Sequence, residues 1–202
     1  MNEVIFDKTR QIYKWGDQSP ENLEAIKSFY VLLKKFPVDN YIKEFLWKLS
    51  HKGLVLGEVR HRWNNDNDDK CQMCGIEVET YQHLFFNCDK LLDIKRWVSN
   101  TCNCTLRGDD GFLFINGDIK DEPNFFFNAI IKYAIWTLRN KIIFENGDPS
   151  PGNLIAILKN MLKKHLQIKW ECCKNAHEKR NNFTMKYLNR NIVIEDEVVT
   201  FI

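Results

Sequence analysis

Four residues between positions 71 and 88 restrict what this chain can become more than any other feature. Cys71 and Cys74 stand two residues apart and Gly75 follows directly. Eight residues then separate Cys74 from His83, and four separate His83 from Cys88. Two cysteines at the first spacing, closed by a glycine free to take a left-handed backbone, can grip one tetrahedral ion from a tight turn. Tyr81, Leu84, Phe85 and Cys88 share one helical face. The second pair of donors is therefore predicted to come from a helix, where a five-residue step does not set two side chains directly above one another. A ligand at the helix end, or a distorted last turn, resolves that mismatch. Three thiolates and one imidazole suit Zn²⁺ in a closed site, and an ion with no open position stabilises a fold instead of activating water. The competing reading is four unrelated buried side chains.

The remaining cysteines bear on that choice. The chain has seven, an odd number. Its first residues, MNEVIFDKTRQIYKW, carry acidic groups early and no apolar run of signal-peptide length. Metal ligands or free thiols are therefore expected rather than disulfides, together with an intracellular location. Cys102 and Cys104 lie close enough in sequence to offer a substitute ligand, while Cys172 and Cys173 read as core or surface thiols. His51, His61, His165 and His177 have no partners at ligand spacing. No run of about eighteen apolar residues occurs, so no membrane span is expected.

Around this centre the apolar pattern is helical, and an all-α fold is predicted, with a short C-terminal β-hairpin or extended arm. Ser19 reads as an N-cap before Pro20, and Leu23, Ile26, Phe29, Tyr30, Leu33 and Phe36 follow at helical spacing up to Pro37. A second helix begins near Asp39, with Ile42, Phe45, Leu46 and Leu49 as its stripe and Gly53 as its stop. GEVRHRW at 57–63 is a short basic helix, and NNDNDDK at 64–70 a polar loop. Leu91 to Val98 forms a further helix or a continuation. Residues 103–122 hold most of the turn chemistry. Phe125 to Glu145 is apolar on several faces and is predicted to be a central buried helix ending at Asn146-Gly147. A second long helix runs from Pro151 to roughly Lys179, burying Leu154, Ile157, Leu158, Met161, Leu162, Leu166 and Trp170. The organisation expected is a lead-in and helix over 1–38, a zinc-binding unit over 39–104, a long helical region over 105–190 and a tail over 191–202.

The segments FLWKLSHKGL at 45–54, RHRW at 60–63 and CQMCGIEVETYQHLFFNC at 71–88 together resemble the zinc-binding domain at the C-terminal side of reverse transcriptases in non-LTR (LINE-type) retrotransposons. IWTLRNKIIFE at 135–145 is similar to a later helix of that family. The resemblance covers roughly residues 40–146, and the donors with HLFF are its most specific part. It implies a structural zinc and binding of RNA or single-stranded DNA during priming or template positioning.

No P-loop, nucleophile elbow or HExxH helix is present. Asp109-Asp110 lies in RGDDG without the apolar strands a polymerase hairpin needs, so no catalytic centre is expected. Net charge is only +2, so any basic footprint must be local. Lys52, Arg60, His61 and Arg62 beside Trp63 form the best patch, with Arg139 and Lys141 as further candidates for phosphate contact. Lys159, Lys163, Lys164, Lys169 and Lys174 stripe the last long helix, where an ordinary solvated face explains them equally well. Two functions follow: a nucleic-acid-binding module, with RNA or DNA as partner and a nuclear location, or a domesticated protein–protein scaffold whose zinc only braces helices. The long helices, the Phe125–Phe127 cluster and the tail are the surfaces for a protein partner.

Overall fold

A computed structural model of the protein describes residues 20–104, 106 and 121–202, with side chains from residue 27 onward. The lead-in with Ser19, and Asp109-Asp110, lie outside the described residues. The fold is mostly helical and ends in a two-stranded antiparallel hairpin.

Helices α1 (Pro20–Lys35), α2 (Asn40–Ser50) and α3 (Gly57–Trp63) come first. The stripe Ile42, Phe45, Leu46 and Leu49 is buried as its spacing requires. The stop after α2 departs from expectation in one detail. Lys52, not Gly53, takes the left-handed conformation, and Gly53 N–H closes on the Lys48 carbonyl at 2.8 Å. Gly53 serves by its small size, since a Cβ there would sit 3.3 Å from that carbonyl oxygen. A knuckle loop and two short turns lead to α4 (Leu92–Cys102).

Helix α5 (Glu122–Glu145) is the centre of the molecule, buried on several faces from Phe125 to Arg139. Asp121 caps its start, and Asn146 in the left-handed region ends it with Gly147 N–H on the Lys141 carbonyl. Helix α6 (Pro151–Glu171) starts at a Ser150 cap and lays Leu154, Leu158, Leu162, Leu166 and Trp170 against α5, with Ile157 and Met161 half-buried.

The single long helix expected to about Lys179 is interrupted. After Glu171 the chain turns through Cys172–Ala176, with Lys174 N–H and Ala176 N–H on the Trp170 and Cys173 carbonyls. Helix α7 (His177–Tyr187) then folds back. Between Trp170 and Phe183 the sequence CCKNAHEKRNN offers little apolar surface to bury. Bending brings Phe183 within 5.5 Å of the Trp170 ring and Tyr187 within 5.4 Å of Phe126.

The tail is a hairpin, β1 (Ile192–Glu195) pairing with β2 (Val198–Phe201) so that Ile192 faces Phe201 and Glu195 faces Val198. Its two-residue turn, Asp196-Glu197, has positive φ at both positions, the geometry that matches strand twist. The hairpin is no free arm. Val199 N–H donates to Gln167 Oε1 at 2.7 Å, and Ile192 and Val199 are fully buried. The Phe125–Phe127 cluster is internal and offers no exposed apolar partner surface, whereas Val198 and Ile202 of the tail stay exposed. One continuous core cluster runs from Phe29 to Val199 through every helix but α3 and through both strands. Among the described residues no helix is long and apolar enough to cross a membrane.

Candidate metal centre and the surface beside it

The knuckle begins where Lys70 and Val78 form an antiparallel bridge. Cys71 N–H donates to the Glu77 carbonyl at 2.8 Å, and Gly75 N–H returns to the Cys71 carbonyl at 2.7 Å. Gly75 holds φ at +71°, so the turn that closes directly after Cys74 favours the residue found there. Thr80 Oγ1 then accepts the His83 N–H at 3.0 Å and starts the next turn of helix. Residues His83–Asn87 form a π-helical turn in which Cys88 N–H donates to the His83 carbonyl at 2.8 Å. The five-residue step that an α-helix cannot align is thereby accommodated by a wider turn.

Cys71 Sγ, Cys74 Sγ, a His83 ring nitrogen and Cys88 Sγ all lie within 4.8 Å of one another. His83 Nε2 is 3.3 Å from Cys74 Sγ. Cys71 and Cys88 are buried, while Cys74 and His83 are half-buried. A hydrogen bond from Cys88, helped by the backbone N–H groups of Cys74 and Met73, draws the Cys71 thiol down to about 5. The shared proton and burial push Cys88 up. Three sulfur donors and one imidazole, converging and mostly shielded from water, fit a four-coordinate Zn²⁺ and leave no position for substrate. Cys102 and Cys104 are not in the cluster. Cys104 Sγ instead lies 2.8 Å from Asn124 Oδ1, and burial pushes its thiol up to about 12.

A second polar centre ties this knuckle to the core. Glu79 and Arg139 are buried and joined by two bonds, Arg139 Nη2 to Oε2 at 2.6 Å and Nε to Oε1 at 3.0 Å. Glu79 Oε2 also accepts the Gly57 N–H at 2.7 Å, and Arg139 Nη2 donates to the Val55 carbonyl at 3.0 Å. One carboxylate thus fixes the N-terminus of α3, the knuckle and α5 together. The Glu-Thr and Arg-Asn steps of the sequence acquire a physical meaning here: Glu79 pairs with Arg139, and Thr80 caps the ligand-bearing turn.

The family described as zinc-binding in reverse transcriptase matches residues 8–94, which is under half of the chain but contains all four donors. That segment is similar to this family. A protein of Arabidopsis thaliana named "Putative ribonuclease H protein" is 34% identical over 71 residues, 35% of this chain and 11% of that relative's length. The chain therefore corresponds to a small part of that relative. No solved structure matches the chain.

Around the knuckle, the basic candidates separate. Arg139 is corrected: at 3% exposure and committed to Glu79, it is an internal brace and no phosphate contact. Lys52, Arg62 and Lys141 are exposed, and Trp63 is 71% exposed. Arg62 Nε donates to the Glu58 carbonyl, and a His61 ring nitrogen is 2.9 Å from the Asn67 carbonyl, which ties α3 to the polar loop. Arg60 turns inward and lines a cleft between α2 and α5. The stripe on α6 is largely engaged: Lys164 pairs with Asp39, Lys169 with Glu122 at 2.7 Å and Lys174 with Glu171 at 2.6 Å. The aromatic residues of the cleft, Tyr133, Trp136 and Phe144, escaped sequence reasoning because they read as part of a buried helix.

Proposed function

We propose that Cys71, Cys74, His83 and Cys88 hold one structural Zn²⁺, and that the chain is a binding module for RNA or single-stranded DNA. It is related to the C-terminal region of a LINE-type reverse transcriptase and has no polymerase or nuclease centre of its own. The observation that carries the metal assignment is the convergence of four ligand atoms on a closed, shielded point. Metal analysis of purified protein is expected to give one zinc per chain, and a metal-free preparation that keeps the fold of residues 69–90 overturns the assignment.

The binding half is supported by Lys52, Arg62 and Trp63, exposed beside the knuckle, with His61, Arg60 and Lys141 as further contacts. The family match and the name of the Arabidopsis relative both lean towards nucleic acid. A nuclear location follows from this reading and is checked by imaging a tagged chain. The test of binding is a salt titration with a single-stranded oligonucleotide. A few phosphate contacts make affinity fall steeply with salt, by a slope of about 0.7 per phosphate on a logarithmic scale. Absence of binding at about 50 mM salt overturns it. The second reading, a protein scaffold, is supported by the Glu79–Arg139 pair, which ties the knuckle to the start of α3 and to α5. Unchanged zinc content with no oligonucleotide binding selects it.

A further inference from the structure

The cleft between α2 and α5 holds about 470 Å³, within the roughly 300–1,000 Å³ typical of small-ligand sites. Its walls are aromatic. Tyr41 and Tyr133 lie 5.2 Å apart at 31°, Phe45 and Trp136 stack at 6.4 Å, and Phe144 lines it with 78% of its surface exposed. Arg139 sits 4.9 Å over the Trp136 ring. Arg60 lines the same cleft, and its Nε and Nη2 are shielded from solvent without a hydrogen-bond partner. A guanidinium atom left unpaired away from water costs free energy that an incoming acceptor recovers. The neighbouring arginines are engaged, Arg139 by Glu79 and Arg62 by the Glu58 carbonyl.

A ligand that answers both features has a flat π face for the rings and an anionic or strongly accepting group for Arg60. We infer that this cleft seats one unpaired nucleotide of a single strand, its base stacked against the Tyr133, Trp136 and Phe144 wall and its phosphate or base edge taken by Arg60. This deepens the nucleic-acid reading and rests on it. The contact is directional where the exposed cations Arg62 and Lys141 are not: it grips a base, whereas they follow the backbone. Single-strand platforms draw on such stacking at about 1–3 kcal/mol per base, which is sequence-tolerant. A duplex keeps its bases paired and cannot supply the ligand.

The test uses the full chain with a single-stranded oligouridylate carrying one 2-aminopurine, whose emission falls when the base stacks. Phe144→Ala removes an exposed ring and Arg60→Gln removes the partnerless fork. Each is expected to lower affinity about tenfold or more and to relieve the quenching. Neither should lower Tm, because Phe144 is outside the core and Arg60 loses no internal partner. Lys179→Gln, a cation outside the cleft, is expected to change affinity less than twofold and leave quenching intact. Strong salt-dependent binding that both cleft variants share with the parent overturns the nucleotide seat and leaves the module reading standing. Absence of any oligonucleotide binding at about 50 mM salt overturns both. Binding of an aromatic, acidic peptide in the cleft, with none of the oligonucleotide, assigns it to a protein partner instead.

Discussion

The knuckle and the helical core are built from different physics in one continuous molecule. Between Leu54 and Cys88, Val55, Ile76 and Val78 are exposed, as is the Asn64–Asp68 loop. Leu84, Phe85 and Phe86 join the core, but position around the donors is fixed mainly by short backbone hydrogen bonds, by the Glu79–Arg139 pair and by four donors aimed at one point. In α5 and α6 position is fixed by area. Phe36, Phe125 and Phe126 meet edge to face, and five residues from Leu154 to Trp170 repeat along one side of α6. The first kind of structure is specified by a few chemical groups, so it is lost when one of them is lost. The second is specified by many side chains that substitute for one another, at about 0.8 kcal/mol per buried methylene.

The largest effect expected is therefore local and comes from the metal. Ion binding in small zinc sites carries on the order of 10 kcal/mol that exists only while the site is folded. Chelation, or Cys88→Ser, should abolish amide-exchange protection over 69–90 while α5 and α6 keep most of theirs. Loss of the whole fold in one step would show that the contrast between the two regions is false, and that the knuckle is a keystone for the core.

The Glu79–Arg139 pair is the joint between them and should come next. Arg139→Met leaves a carboxylate buried with only the Gly57 N–H, at a cost of about 3–5 kcal/mol. The double variant Glu79→Gln with Arg139→Met should recover part of that loss, because no buried charge then stands alone. A chemical-denaturation cycle over the four proteins measures the coupling. Additive losses would mean that the pair does not act as one unit.

Gly57→Ala probes the same joint sterically. A Cβ at Gly57 would lie 2.8 Å from the Asp69 carbonyl carbon and 3.0 Å from Glu79 Cβ. Relieving that overlap has to move either the knuckle or the α3 start, at about 1–3 kcal/mol. Zinc affinity should fall with stability, whereas Gly152→Ala, with nothing near its Cβ, should leave both unchanged.

What the sequence disclosed follows the same divide. Donor spacing is a local, chemical signal, and Cys71, Cys74, His83 and Cys88 converge as their order suggests. Periodicity exposed α1, α2, α5 and α6, because a stripe such as Leu154–Leu158–Leu162–Leu166 has one helical explanation. Long-range partners left no such mark. Glu79 and Arg139 are sixty residues apart, and only the fold turns Arg139 from a surface cation into an internal brace. The break at Cys172–Ala176 was hidden too, since aromatic packing of Phe183 and Tyr187, not a proline or glycine, sets it.

His165 gives the finest test, because it places a polar group inside the region governed by apolar area. It read as an ordinary histidine, yet it is fully buried, and neither ring nitrogen has a hydrogen-bond partner. Burial lowers its pKa from the usual 6.5, against the pull of Asp39, whose Oδ2 lies 3.7 Å from Nε2, while Lys164 adds to the lowering. The folded protein therefore keeps His165 neutral at pH values where the unfolded chain has already taken up a proton. Its contribution is intact above about 6.5 and is lost as pH falls from there towards the folded value. Asp39 does not confuse this window. Desolvation would raise it, but the hydrogen bond from Lys164 prevails and holds it below 3.8, so its own loss comes at lower pH. With zinc saturating throughout, His165→Leu should lose less Tm between pH 7.5 and pH 5.5 than the parent, by roughly 2–4 °C. Parallel pH curves for the two proteins would show that His165 is protonated or solvated within the fold, and that α6 is less completely sealed than its leucine ladder implies.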